Sequence, residues 1–158
     1  LNTLQVDLTA DIESAVQDLI ASLERVGDVH ASGVAAIITS PLSGASYVVL
    51  RYSADFATIP AEFDDFDQFE PAGSLTDLWI DSDVDLVEVR VGEDDVRLIE
   101  VSDEALAGPY LDFLASLFAN SAVRTLCLDL VRADEAVLTL FFDYDGEPRR
   151  QLMLTRTP

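Results

Sequence analysis

A stripe of apolar residues at helical spacing opens this chain, and short alternating runs joined by tight loops follow it. Ile12, Ala15, Val16, Leu19, Ile20, Leu23 and Val26 recur three and four residues apart. That spacing puts them on one face of a helix over residues 9–26. Thr9 is the expected N-cap, and Asp11 and Glu13 fall in the first turn, where the helix dipole favours them. Gly27 follows Arg25 and Val26 as a stop. The runs 34–39 and 47–52 then flank Ser40-Pro41-Leu42-Ser43-Gly44, which has the residues of a hairpin loop. Runs 85–91 and 95–101 form a second hairpin around Gly92-Glu93-Asp94. Connections this short favour antiparallel pairing, because a parallel pair needs a crossover.

The second half repeats the helix-then-strands layout without a residue-level repeat. Ser102 is the expected N-cap for Asp103 and Glu104. Gly108-Pro109 is expected to interrupt that helix, with a fresh one over 109–119 that buries Leu111, Leu114, Leu117 and Phe118 and closes at Asn120. Strands are expected over 123–131, 136–144 and 149–155, with Asp145-Gly146 as a strong hairpin signal. In the first strand of the second hairpin, Val87, Val89 and Val91 alternate with Glu88 and Arg90. In the next strand Val96, Leu98 and Val101 compete with Ile99, which predicts a bulge or burial on both faces. The expected fold is a single α+β domain over 1–158, a mainly antiparallel β-sheet with two principal helices packed on one side.

Charge sets the class of partner. The chain has 158 residues, of which 30 are acidic and nine are arginine, with no lysine, giving a net charge of −21. Apolar residues make up 49%, too many for a disordered chain. A surface this acidic excludes nucleic acid as a direct ligand and disfavours anionic membranes. Asp outnumbers Glu 20 to 10 and every base is Arg. A high-GC genome or a salt-adapted proteome yields the same bias without any role in binding.

Few residues here carry chemistry. His30 is the chain's one histidine, the residue type most suited to general-base work, and its bland reading is a surface loop histidine. Cys127 lies within an apolar run and reads as a small buried hydrophobe. One cysteine makes no internal disulfide, and Leu1–Asp7 lacks the basic and apolar regions of a signal peptide, so a cytoplasmic setting is expected. Asp81-Ser82-Asp83-Val84-Asp85 opens like a calcium loop, but Leu86 stands where the glycine belongs and Gly92 where the bidentate Glu belongs. Phosphate-cradling glycine motifs are absent, and no metal or other cofactor is implied.

The acidic centre is the most informative stretch. From Arg51 to Asp103, both counted, there are sixteen acids and three arginines. Phe63, Phe66 and Phe69 recur every third residue among Asp64, Asp65, Asp67 and Glu70, and Trp79 lies between Asp77 and Asp81. Large apolar side chains usually go inside, so burial of the phenylalanines is the favoured reading and aromatic anchoring of a partner the sharper one. The carboxylates of Asp64, Asp65, Asp67, Glu70, Asp77, Asp81, Asp83 and Asp85 are the candidate binding residues. Their role would be steering and pairing with Arg or Lys of a basic protein partner.

In its size, its acidic stretches 64–70 and 77–85, its lack of catalytic residues and its helix-then-hairpins order, the chain resembles the small acidic α+β immunity proteins of bacterial toxin systems. The resemblance implies a cytoplasmic protein that blocks a cognate toxin domain by direct binding, and it assigns no individual residue. Two other classes stand beside it. A secretion or assembly chaperone would expose Phe63, Phe66 and Phe69 along an apolar groove. A ligand-binding or enzymatic domain would be acidic only because its proteome is.

Overall fold

In the computed structural model, residues 2–26, 30–31, 33–42, 48–53, 67–72, 80–81, 83–143 and 149–156 are described. Strand β1 (Thr3–Asp7) leads into a 3-10 turn over Leu8–Asp11 and then helix α1 (Ile12–Val26). The apolar stripe is where its spacing put it, with Ala15, Val16, Leu19 and Leu23 buried. Its start differs from expectation. Asp7 caps the preceding 3-10 turn, its carboxylate accepting from the Thr9 amide and hydroxyl, and Thr9 lies within that turn instead of capping α1. That engagement by Thr9 holds the Asp7 carboxyl below its ordinary pKa.

Strands β2 (Gly33–Ile38), β3 (Val48–Ser53), β4 (Asp67–Ala72), β5 (Leu86–Arg90) and β6 (Val96–Glu100) follow. Helices α2 (Asp103–Phe118) and α3 (Ser121–Val131) come next, then β7 (Glu135–Phe142) and β8 (Arg149–Thr155). The α+β class is as read from the sequence. The strands form two sheets, ordered β1-β5-β6 and β4-β3-β2-β7-β8.

Pairing is mainly antiparallel, as expected, but two parallel pairs correct the expectation that the short connections leave no crossover. β1 lies parallel to β5, and β2 parallel to β7. The crossovers exist because whole blocks of structure serve as connections: α1 and the first hairpin separate β1 from β5, and α2 with α3 precedes β7. The residues of β2 explain its central place. Ala35 and Ile37 are as buried as Val34, Ala36 and Ile38, so this strand is covered on both faces and shows no alternation.

Three helices, not two, pack into the core. Residues 123–131, expected as a strand, belong to α3, where Val123, Cys127, Leu128 and Leu130 are buried. Nine residues rich in Val and Leu look the same in a buried strand and a short buried helix, and periodicity alone does not separate them. Asn120 decides the matter. Its side chain accepts from the Ala122 and Val123 amides at 3.0 and 3.2 Å, so it starts α3 instead of ending α2. At the other end Arg132 adopts the left-handed conformation, φ 52°, as a C-cap.

α2 runs unbroken through Gly108 and Pro109. A proline inside a helix forgoes one hydrogen bond and costs roughly 3 kcal/mol. Burial of Leu106, Tyr110, Leu111, Phe113, Leu114 and Phe118 on this one helix outweighs that cost. The Ser102 cap is as expected, with its hydroxyl accepting from the Ala105 amide at 3.1 Å. Ser40, buried at the end of β2, donates to Asp103 in the first turn of α2 and so ties the sheet to the helix start.

One hydrophobic cluster joins these parts. It contains Val6, Val87 and Val89 from the small sheet, Leu50, Leu138 and Leu140 from the large one, and the inner faces of all three helices. Tyr110 packs edge-on against Phe142, ring centres 6.1 Å apart. Among the described residues no helix is long and apolar enough to cross a membrane by itself.

Candidate functional site

The register of the small sheet sets its outer face. Gln5 pairs with Glu88 and Glu88 with Leu98; Asp7 pairs with Arg90 and Arg90 with Val96; Thr3 pairs with Leu86 and Leu86 with Glu100. Side chains in one register row share a face. Leu4, Val6, Val87 and Val89 point inward, so these nine residues point outward. Near the β6 edge that surface is apolar: Leu98 is 62% exposed and Val96 41%. The expected bulge in β6 is absent. Its register to β5 is continuous, Arg97 and Ile99 turn inward, and Val96 and Leu98 stay in water.

Glu88 and Glu100 flank Leu98 on this face and belong to a densely acidic stretch that forms the rim. Residues 81–104 hold ten carboxylates and two arginines. Asp81, Asp83, Asp85, Glu93, Asp94, Asp95, Glu100, Asp103 and Glu104 are all exposed, and Glu88 is half-buried. Arg97 neutralises one of them through paired bonds of 3.0 and 2.8 Å to Asp95, and this contact holds the Asp95 carboxyl below its usual pKa. Arg90 donates to the Glu93 carbonyl at 2.7 Å, which ties down the hairpin turn instead of a carboxylate.

Beneath β6 the surface folds into a groove of about 610 Å³ that runs to β8. Val91, Arg97, Asp112, Ser116, Phe118 and Met153 are among its lining residues. Asp112 of α2 spans it, accepting from Arg97 on one oxygen at 2.7 Å and from Arg150 on the other. Partial burial alone would raise the Asp112 pKa, but the bonds and charges of the two arginines leave it lowered.

The candidate residues from the sequence are split. Asp81, Asp83 and Asp85 sit exposed at the approach to β5. Asp85 has a structural partner as well: its carboxylate accepts from the Asn2 amide at 2.9 Å, fixing β1 beside β5. Asp67 and Glu70 lie on β4, in the other sheet. Asp64, Asp65 and Asp77 lie outside the described residues, as do Phe63, Phe66 and Trp79. Among the described residues no group of three His, Cys, Asp or Glu side chains is placed to hold a metal ion. His30 is exposed before β2.

Sequence reasoning missed Leu98, Val96 and the Arg97–Asp112–Arg150 bridge. The signal for the first two was present, since Val96 and Leu98 share one parity and Arg97 and Ile99 the other. An arginine on the inward side hid it. The chain matches no protein-family model, no curated protein and no solved structure.

Proposed function

We propose that this protein is an acidic binding module for a basic protein partner, and that it acts in the cytoplasm as an immunity protein inhibiting a cognate bacterial toxin domain by direct binding. The observation that carries this reading is the exposed Leu98 within the acidic rim of residues 81–104. A desolvated apolar centre with charge around it is the make-up of an interface that is both steered and tight. Asp81, Asp83 and Asp85 extend the rim at the start of β5, and the net charge of −21 gives it long range. Such a field accelerates encounter with a basic protein by roughly 10-fold to 1,000-fold.

The test is capture from the lysate of the source cells at low salt, followed by release at high salt. The expected result is one basic protein at a one-to-one ratio, whose enzymatic activity stops when this chain is added back. Simultaneous replacement of Asp81, Asp83, Asp85 and Asp94 by Asn should slow that association and flatten its salt dependence. Release of many unrelated basic proteins, none of them inhibited, overturns the reading.

A further inference from the structure

We infer that the free edge of β6 receives one added β-strand from a basic, extended segment of the partner. This rests on the reading above and names how the partner engages. The backbone supplies the first observation. The Val91 N–H donates to the Asp95 carbonyl at 2.9 Å, and the Val101 N–H donates to the Asp85 carbonyl at 3.4 Å. Val89 faces Arg97 and Val87 faces Ile99 between them. In an antiparallel ladder hydrogen-bonded pairs alternate, so the odd-numbered residues of β6 bond to β5. Val96, Leu98 and Glu100 therefore turn their N–H and C=O groups away from β5. Among the described residues no strand occupies that side, because β6 ends its sheet.

The second observation is what those three residues carry. Edge strands are normally blunted by a bulge, a proline, charged side chains or an inward-pointing charge. β6 has a continuous register and no proline, its inward Arg97 is already paired with Asp95 and Asp112, and its central outward residue is Leu98, 62% exposed. Backbone donors, backbone acceptors and an apolar side chain thus meet on one line, which is what strand addition uses for affinity and for specificity. An added strand would lie about 4.8 Å beyond β6. One set of its side chains would sit beside Leu98, Glu88 and Glu100, and the other set over the groove. A segment mixing valine-like residues with Arg or Lys fits that row.

Charge favours β6 over β8, an edge strand of the large sheet. The Arg156 N–H donates to the Asp134 carbonyl at 2.9 Å, so the outward groups of β8 belong to Arg149, Gln151, Met153 and Thr155. There Arg149, Arg150 and Arg156 stand against the carboxylates of Asp112, Asp129 and Asp134, with Arg150 and Arg156 ion-paired to them, so that edge attracts a basic strand less than the β6 edge does. The β6 edge has Glu88, Asp94, Asp95 and Glu100 at its side.

The experiment uses the full chain and a blocked peptide of alternating Arg and Val, read by amide hydrogen exchange and by NMR titration. A control peptide of the same sequence, methylated at every backbone nitrogen, keeps the charge and removes the strand donors. The expected result is about tenfold slower exchange at Val96, Leu98 and Glu100 with the first peptide and none with the second. Leu98→Pro removes an outward N–H that the β5–β6 ladder does not use, and should weaken binding about tenfold more than Leu98→Ala does. Melting curves and the exchange of Val89 and Ile99 report whether the proline variant keeps its sheet. If it does not, the wild-type exchange pattern decides.

Equal binding of both peptides without protection of the edge overturns strand addition while leaving the acidic surface as an attractant. Binding of neither peptide overturns both. Protection at Gln151 and Met153 in place of β6 overturns the choice of edge. Concentration-dependent protection of the β6 edge in the absence of peptide assigns it to a second copy of this chain, and overturns the proposal too.

Discussion

Arg97 on β6 and Arg150 on β8 grip opposite oxygens of a single carboxylate, that of Asp112 on α2. The edge strands of two separate sheets are thus held by one side chain on the helix between them. All three groups are about one-third exposed, so solvent screening limits what each pair contributes.

Replacing Asp112 with Ala should destabilise the fold by about 1–2 kcal/mol after that discount, because two charge-assisted contacts are lost together. Urea denaturation measures it. A double-mutant cycle with Arg150→Ala should show coupling, and simple additivity would mean the bridge holds nothing.

The same residue gives a pH signature. Its folded pKa is lowered, so its contribution is fully present above the ordinary aspartate value of about 3.9 and is lost as pH falls through the folded value. The stability difference between wild type and Asp112→Asn should therefore be constant near neutrality and shrink below about pH 4. A difference that grows in acid would reverse the sign of the linkage.

Asn120→Ala should cost about 1 kcal/mol by removing the cap from the Ala122 and Val123 amides. Asn120→Asp should retain most of the stability, since aspartate caps equally well. Thermal melts of the three proteins separate these cases.

Cys127 is 1% exposed, and burial pushes its thiol up to about 12. At pH 8 it should react with a thiol reagent only as fast as the protein opens, and at the rate of a free thiol in denaturant. Rapid labelling of the native protein would place the cysteine at the surface.

Added salt should raise the melting temperature. A net charge of −21 repels itself in the compact state, and screening shortens the reach of that repulsion to ~8 Å at physiological ionic strength. A melting temperature that is flat or falls between low and moderate NaCl would show that the acids are far enough apart to ignore one another.

Local patterns were legible where one face dominates. The α1 stripe, the Ser102 cap, the valine alternation of β5 and the strand Arg149–Thr155 all follow from periodicity and end signals. What the sequence hid depends on tertiary surroundings. Residues 123–131 are apolar enough for either state, and only the hydrogen bonds of Asn120 settle the helix. Pro109 is an end signal in local terms, and the burial of the surrounding helix overrides it. The parallel pairs were invisible because their crossovers are built from elements distant in the chain. At the proposed binding surface the acidic bias was plain in composition. Which apolar side chain stands in its midst required knowing that Arg97 turns inward to meet Asp112.

The parallel union of β2 with β7 carries a consequence for synthesis. β2 ends at Ile38, and its neighbour in the middle of the large sheet begins only at Glu135. A nascent chain must keep one edge of this strand, apolar on both faces, unsatisfied until everything from β3 through β7 has left the ribosome. Assembly of this sheet is set by the latest-made segment, which makes its folding slow for its size and leaves truncated products prone to aggregate.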